Sequence, residues 1–172
     1  MAMKQIRPDF WVISAVDQSL RVFMSDSYTD SGMMFNTYLA EAEDGAVLFG
    51  APPARQMEEW LQLIEGHICG KKRLTFVSFC DRNDLLAVKL LADKCPELTV
   101  IGSAAALYAL EGCEAAFRGI CVRGRRVLEL GGRTWTFEVE TAGNLCVFCK
   151  DWKTVLSGSA FGAYCAYPEI FL

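Results

Sequence analysis

The residue types best suited to chemistry are concentrated in one hexapeptide, residues 79–84, with the sequence Phe-Cys-Asp-Arg-Asn-Asp. An apolar run of residues 74–79 leads into it, and the pattern of residues 85–94 predicts a helix directly after it. Polar side chains at the carboxyl end of a buried strand, next to a helix start, are where α/β proteins place ligands and catalytic groups. We therefore expect residues 79–84 to occupy a functional position in the fold.

The acidic residues of this hexapeptide favour two interpretations. Asp81 and Asp84, with Glu140 from later in the chain, could form an all-oxygen site for a divalent metal. Such a cluster is stable only when a cation, or the guanidinium of Arg82, offsets the repulsion between the carboxylates. The simpler interpretation is that the acidic residues and Asn83 cap the following helix, because their side chains accept hydrogen bonds from helix amides.

The hexapeptide also contains one of the eight cysteines of the chain. Cys80 lies beside Arg82, whose positive charge favours a thiolate, so Cys80 is a weak candidate for a catalytic nucleophile. Without a secretory signal, we expect most of the cysteines to be reduced and buried as small apolar side chains. Cys146 and Cys149 form a Cys-x-x-Cys pair, but on a predicted strand the two thiols point to opposite faces, which does not suit zinc or a redox disulfide.

Composition limits the class of protein. The chain has 172 residues, of which 52% are hydrophobic, and a formal net charge of -4. These values predict one folded domain, residues 1–172, with no general attraction for nucleic acid or an anionic membrane surface. No apolar run reaches the roughly 18 residues that a membrane span needs. The first residues lack the apolar core of a signal peptide, so the expected location is the cytoplasm.

The hydrophobic pattern predicts short strands first, then strands alternating with helices, then strands again. The predicted helices are residues 57–68, 85–94 and 103–110. The predicted strands are residues 10–16, 21–24, 34–40, 46–49, 74–79, 98–101, 119–122, 126–130, 134–140, 145–150 and 154–156. This order is typical of a domain in which α and β layers pack on each other.

A more specific indication comes from residues 32–39, Gly-Met-Met-Phe-Asn-Thr-Tyr-Leu. They resemble the glycine, aromatic, Asn-x-Tyr-Leu motif near the start of flavodiiron proteins, the A-type flavoproteins. Further segments resemble that family in the same order along the chain: residues 11–17, 21–23, 46–49, 95–103, 130–132 and 156–162. The resemblance implies a metallo-β-lactamase-like αββα sandwich, here shortened at its C-terminus.

The same resemblance places the hexapeptide on the metal-binding loop of the family, His-x-Glu-x-Asp-His. Phe79 and Asp84 then occupy the two histidine positions. Asp81 occupies the glutamate position, and Asn83 occupies the aspartate position. The loop therefore offers an aromatic ring where the family has an imidazole.

The remaining ligand positions of the family also differ in this sequence. A later histidine position falls near Glu140, and the aspartate position before Ala-Phe-Gly is taken by Ser159. Gly50 stands where the family has an aspartate after a strand. The last residue of the given sequence, Leu172, precedes the region in which the family has its final histidine ligand. His67, the only histidine, lies outside the motif, so we expect no di-iron centre.

Two functions follow as expectations. The first is a non-catalytic relative of the flavodiiron oxidoreductase domain, a pseudoenzyme that acts as a binding or interaction module without metal or flavin. The family resemblance further implies a homodimer, and a flavodoxin-like or rubredoxin-like protein as redox partner. The alternative is an enzyme with an altered site: a hydrolase or oxidoreductase with a divalent metal held by Asp81, Asp84 and Glu140, or a thiol-dependent enzyme that uses Cys80.

Overall fold

The computed structural model describes residues 1–158, except residues 24–26, 29, 31, 44, 71–72, 80–81, 113 and 141–142; the side chains of residues 22, 23, 27, 28 and 82 are also outside the described set. Cys80, Asp81 and Ser159 therefore lie outside the described residues. The order of elements is β1 (Ala2–Arg7), β2 (Phe10–Asp17), β3 (Val22–Phe23), β4 (Ser27–Tyr28), β5 (Met33–Glu41), β6 (Gly45–Phe49), a 3-10 turn (Ala54–Gln56), α1 (Met57–Ile68), β7 (Arg73–Val77), α2 (Arg82–Lys94), β8 (Thr99–Ser103), α3 (Ala104–Leu110), β9 (Arg118–Val122), β10 (Arg125–Leu130), β11 (Arg133–Val139), β12 (Leu145–Cys149) and β13 (Thr154–Leu156).

Two sheets organise these elements. The large sheet has seven strands in the order β1-β2-β5-β6-β7-β8-β9, antiparallel up to β6 and parallel from β6 to β9. The small sheet is an antiparallel meander, β10-β11-β12-β13. Because β6, β7 and β8 run in parallel, their carboxyl ends meet at one edge, where parallel sheets place functional groups.

Alternation along the central strands builds one core on each face of the large sheet. In β6, Ala46 and Leu48 pack in a first core together with helix residues, while Val47 and Phe49 pack in a second core against the small sheet. Side chains on a strand alternate between faces, so a continuous apolar run is expected where both faces are covered. The described residues thus form a layer of helices, the large sheet and the small sheet, in that order.

Helix α1 has the bounds that the hydrophobic pattern predicted, residues 57–68. Its buried residues follow a helical stripe: Met57, Trp60, Ile64 and Ile68. The indole Nε1 of Trp60 donates a hydrogen bond to the Thr37 hydroxyl at 3.0 Å, which anchors the helix to β5. Gly70 takes a φ of +75° just after the helix, a conformation that glycine adopts without strain.

The structure differs from the prediction at several elements, among them the short strand β4, which lies in a segment predicted as a loop. Strand β1 was not predicted, because its mostly exposed residues lack the alternation of a half-buried strand; it pairs with β2 at the sheet edge. Helix α2 begins at Arg82 instead of residue 85. Asn83 and Asp84 therefore lie within its first turn, and their predicted role as residues that precede and cap the helix is wrong.

Candidate functional site

The described residues of the hexapeptide lie at the carboxyl edge of the parallel strands. Phe79 follows β7, and residues 82–84 form the first turn of α2. The strand ends around these residues are joined by main-chain hydrogen bonds: the Gly50 amide donates to the Val77 carbonyl at 3.0 Å, and the Ser78 amide donates to the Ile101 carbonyl at 2.9 Å. These hydrogen bonds join the segments at the carboxyl ends of β6 and β7 to each other and to β8.

The ring of Phe79 fills the gap between two glycines that come from different parts of the chain. Gly50 follows β6 and Gly158 follows β13, and both have positive φ values, +70° and +57°. A Cβ atom at Gly50 would lie 3.1 Å from Cδ2 of Phe79, and one at Gly158 would lie 3.1 Å from its Cδ1. A side chain at either glycine would therefore crowd the ring. The half-buried ring also packs against the second core.

Asp84 is a buried carboxylate that ties the helix to the strand end. Asp84 is 2% exposed, and Ser78, its hydrogen-bond partner, is 1% exposed. The Ser78 hydroxyl donates a hydrogen bond to Oδ2 of Asp84 at 2.7 Å. A carboxylate in the first turn of a helix is stabilised by the helix dipole, since helix amides point toward it. The hydrogen bond to Ser78 gives Asp84 a structural role.

Glu140 lies in the turn that joins β11 to β12. The Glu140 amide donates to the Asn144 carbonyl at 2.9 Å, and the Gly143 amide donates to the Glu140 carbonyl at 2.8 Å. Among the described residues, no three side chains of His, Cys, Asp or Glu lie close enough together to hold a metal ion. Asp81, the third member of the predicted oxygen site, is outside that set.

His67 lies at the opposite edge of the large sheet from Phe79. Its Nδ1 is 3.4 Å from a carboxylate oxygen of Glu41, and its ring centroid is 4.8 Å from that of Trp11. Glu41 pairs with Ala46 at the amino end of β6, whereas Phe79 follows the carboxyl end of β7. His67 is therefore separated from the hexapeptide by the length of the parallel strands.

The Cys-x-x-Cys pair has the geometry that the sequence predicted. Cys149 is fully buried in the second core, while Cys146, on β12, is half-buried on the other face. Burial raises the pKa of the Cys146 thiol, and the negative charges of Glu140 and Glu138 raise it further. Burial also raises the pKa of the Cys149 thiol, although hydrogen bonds from the amides of Trp152 and Asp151 lower it in part. Neither thiol is activated as a nucleophile.

We expect alkylation with iodoacetamide to reflect these environments. Cys69, which is exposed, should react in the folded protein, whereas Cys149 should react only after unfolding in urea. A raised pKa lowers the thiolate fraction at neutral pH, so the labelling rate of Cys146 should rise at a higher pH than that of an ordinary cysteine. Peptide mass spectrometry of a pH series measures this, with Cys146→Ser as the control. Rapid labelling of Cys149 in the folded state would contradict its placement.

A second group of polar residues, which the sequence did not single out, surrounds Asp17 at the end of β2. Oδ1 of Asp17 accepts hydrogen bonds from the Ser19 and Leu20 amides, each at 3.0 Å, and its other oxygen pairs with Arg55. Gln56 donates from Nε2 to the Val16 carbonyl at 2.8 Å. Asp17, Ser19, Arg55 and Gln56 line a surface depression of about 540 Å³. An aspartate that accepts from amides two and three residues ahead is a turn former, and this role explains its burial.

No protein-family model matches the chain, and no curated protein matches it. Several solved structures do match its fold. A flavodiiron protein from Giardia intestinalis superposes with a TM-score of 0.79 at 20% identity, over 97% of this chain and 42% of that one. Rubredoxin oxygen:oxidoreductase from Desulfovibrio gigas superposes with a TM-score of 0.82 at 24% identity, over 96% of this chain and 43% of that one. This chain has the flavodiiron lactamase-like fold.

The match confirms the fold class predicted from the motifs. A flavoprotein from Thermotoga maritima superposes equally well, with a TM-score of 0.81 at 17% identity, over 96% of this chain and 43% of that one. The chain thus spans less than half the length of these flavodiiron structures. At such identities the likeness establishes the flavodiiron lactamase-like fold alone.

Proposed function

We propose that this chain is a non-catalytic flavodiiron-like module that serves in binding or assembly. The observation that supports the proposal is the position of Phe79, whose ring occupies the gap between Gly50 and Gly158. The resemblance places Phe79 at a histidine position of the metal loop, and Gly50 at an aspartate position. An aromatic ring and a glycine therefore stand where the family has side chains whose lone pairs can bind metal.

The described residues do not fit a di-iron centre. Iron in such sites relies on imidazole nitrogens supported by carboxylates. At the hexapeptide, Phe79 has no lone pair, Asn83 is a neutral amide, and Asp84 accepts the Ser78 hydroxyl in a buried position. His67 lies at the far edge of the sheet beside Glu41. These residues give no basis for a redox step at this site.

The contacts of Phe79 and Asp84 instead favour a rigid structure at the carboxyl ends of the parallel strands, where α/β proteins place functional groups. The Phe79 ring bridges the segments after β6 and β13, and the Ser78–Asp84 hydrogen bond joins β7 to α2. No helix among the described residues is long and apolar enough to cross a membrane. We include a cytoplasmic location in the proposed function.

Metal titration tests the proposal. We expect the purified chain, incubated under anaerobic conditions with Fe²⁺, Zn²⁺ or Mn²⁺ and then desalted, to retain far less than one equivalent by elemental analysis. The matched control is Asp84→Asn, which keeps the shape of the side chain and removes its charge; its metal content should equal that of the wild type.

One result would contradict the proposal and favour the alternative of an altered enzyme. Stoichiometric metal that is lost in both Asp84→Asn and Glu140→Gln, while His67→Gln retains it, would place a cation at the predicted oxygen site. Metal lost only in His67→Gln would instead locate it at the pair of His67 and Glu41, away from the hexapeptide, and would leave the proposal standing.

A further inference from the structure

Two cysteines lie at the ends of neighbouring helices, at the edge of the large sheet opposite Phe79. Cys69 directly follows α1, and Cys95 directly follows α2. The Cys69 amide donates a hydrogen bond to the Glu65 carbonyl at 2.8 Å. The Cys95 amide donates to the Leu91 carbonyl at the same distance. Both thiols are free, and they occupy equivalent positions at the last turns of α1 and α2.

The topology of the large sheet brings these two helix ends to the same side. Helix α1 connects β6 to β7, and α2 connects β7 to β8. The three strands are parallel neighbours, so each helix runs back along the sheet and ends at the amino edge of the strands. Residues of both helices pack in the first core, on one face of the sheet. Helices α1 and α2 are therefore parallel neighbours whose carboxyl ends lie side by side.

An ion pair joins the two helix ends directly. Nζ of Lys94 donates to Oε1 of Glu65 at 2.8 Å. Glu65 lies one helical turn before Cys69, whereas Lys94 immediately precedes Cys95. The pair of Glu65 and Lys94 thus spans the gap between the helices beside the two thiols.

The two thiols also influence each other electrostatically. Burial raises the pKa of the Cys95 thiol, a negative charge on Cys69 raises it further, and the Lys94 ammonium lowers it in part. The hydrogen bond and charge of Glu65 raise the pKa of Lys94, and both cysteines add to this effect. Exposed charges more than about 10 Å apart are largely screened by salt. These mutual effects therefore place both sulfur atoms and the ammonium in one cluster.

The two thiols differ in exposure, and this difference gives them different roles in an oxidation. Cys69 is exposed, whereas Cys95 is half-buried and packs against the first core. A dissolved oxidant meets the exposed thiol first, and a sheltered neighbour then attacks the oxidised sulfur. A disulfide requires the two Cα atoms to lie within about 7 Å of each other. A Cβ at Gly70 would meet no atom within 4 Å, so open space beside the end of α1 leaves room for that approach.

We propose that Cys69 and Cys95 form a dithiol site that a hydroperoxide converts into a disulfide. With hydrogen peroxide, the Cys69 thiolate attacks one oxygen, the O–O bond breaks, and the leaving hydroxide takes a proton to become water. Cys69 is then a sulfenic acid. The Cys95 sulfur attacks the Cys69 sulfur, the S–S bond forms, the S–O bond breaks, and the hydroxide leaves as water with the Cys95 proton. The two thiols lose two electrons, and these reduce the peroxide to two waters.

This site goes beyond the proposed function and does not rest on it. It lies at the amino edge of the parallel strands, away from the ring of Phe79, and it uses no metal. The disulfide links α1 to α2 covalently under oxidising conditions, and a thiol reductant reverses the link by exchange.

Peptide mapping after oxidation tests the site in the full chain. Reduced and desalted protein is treated with hydrogen peroxide, quenched with iodoacetamide and digested with trypsin without reductant. We expect the peptide of Cys69 to be recovered linked to the peptide of Cys95, and dithiothreitol to separate them. Trypsin leaves Cys113 on the same peptide as Cys95, so fragmentation of the linked peptides identifies which of the two is bonded.

Single replacements separate the roles of the residues. Cys95→Ser should stop at the sulfenic acid of Cys69, which dimedone traps as an adduct. Cys69→Ser should leave Cys95 reduced, with oxidation several-fold slower than that of Cys69 in wild type. Lys94→Gln should slow disulfide formation several-fold, because the Cys95 thiolate loses its neighbouring cation. Lys89→Gln is the matched control, since Lys89 is an exposed lysine on the same helix, and its rate should equal that of wild type.

Two results would overturn the proposal. One is the absence of a link between Cys69 and Cys95 at a peroxide excess that carries Cys69 on to the sulfinic acid. The other is a link from Cys69 to a different cysteine. Circular dichroism of each variant shows that it is folded before the oxidation is compared.

Discussion

Replacement of Trp135 by alanine is expected to lower the free energy of unfolding by about 3–5 kcal/mol, among the largest effects of any single substitution in this chain. Trp135 is 1% exposed. Its ring centroid is 4.8 Å from that of Phe49 in the large sheet and 5.6 Å from that of Trp152. The substitution removes this aromatic contact between the two sheets and leaves a cavity that rigid strands cannot close.

The indole of Trp135 also makes a polar contact that a second variant separates from the packing. Its Nε1 donates to the Leu130 carbonyl at 3.0 Å. Trp135→Phe keeps an aromatic ring and loses the donor, so we expect a smaller loss, about 1–2 kcal/mol.

Urea unfolding followed by circular dichroism measures both variants of Trp135, and an unchanged dependence on urea shows that stability itself has changed. In a domain of this size a loss of 3–5 kcal/mol corresponds to a fall in Tm of roughly 6–20 °C. A loss below about 1 kcal/mol in Trp135→Ala would contradict the face-to-face packing of the two sheets.

Replacement of Gly50 by alanine is expected to lower the free energy of unfolding by about 2–4 kcal/mol, through two separable causes. The first cause is the backbone, since Gly50 has a φ of +70°, which side chains disfavour. The second cause is the ring of Phe79, whose Cδ2 would lie 3.1 Å from the new methyl group. Gly158→Ala should behave in the same way, because its φ is +57° and its Cβ would meet the other side of the ring.

Matched glycines in this chain isolate the contribution of the ring. Gly70 has a φ of +75° and Gly124 a φ of +71°, and a Cβ at either would meet no atom within 4 Å. Gly70→Ala and Gly124→Ala therefore report the backbone effect alone. We expect Gly50→Ala to exceed them by roughly 1–3 kcal/mol.

A double-mutant cycle gives the decisive comparison for the Phe79 site. In a Phe79→Ala background the ring is absent, so Gly50→Ala should cost no more than Gly70→Ala does. The coupling free energy between positions 50 and 79 is then expected at about 1–3 kcal/mol, in the range found for residues in contact. Equal losses for Gly50→Ala and Gly70→Ala in the wild-type background would show that the ring does not fill this gap.

Helices and central strands of this fold could be predicted because local physics specifies them. The stripe of Met57, Trp60, Ile64 and Ile68 specifies α1. At the start of α3, Ser103 accepts a hydrogen bond from the Ala106 amide, which is a local contact of a typical capping residue. Strand β1 could not be predicted from its residues. It lies at the exposed edge of the large sheet and is held by main-chain hydrogen bonds to β2. Such bonds do not require an alternating pattern of apolar side chains.

The start of α2 was predicted three residues too late. The sequence indicated Asp81, Asn83 and Asp84 as capping residues, and the helix begins at Arg82, so Asn83 and Asp84 lie within its first turn. There the Asp84 carboxylate accepts a hydrogen bond from Ser78, which follows β7, and this tertiary contact is not contained in the local pattern.

By itself, the sequence determined most of the elements in their order, the buried central strands and the absence of histidine from the hexapeptide, since these follow from residue types and their spacing. The tertiary structure alone decided which groups surround Phe79. Gly50 and Gly158 are more than 100 positions apart, and nothing local indicates that both lie against Phe79. The two sheets bring them together because their apolar faces share one core, and the ring then occupies the gap that their missing side chains leave.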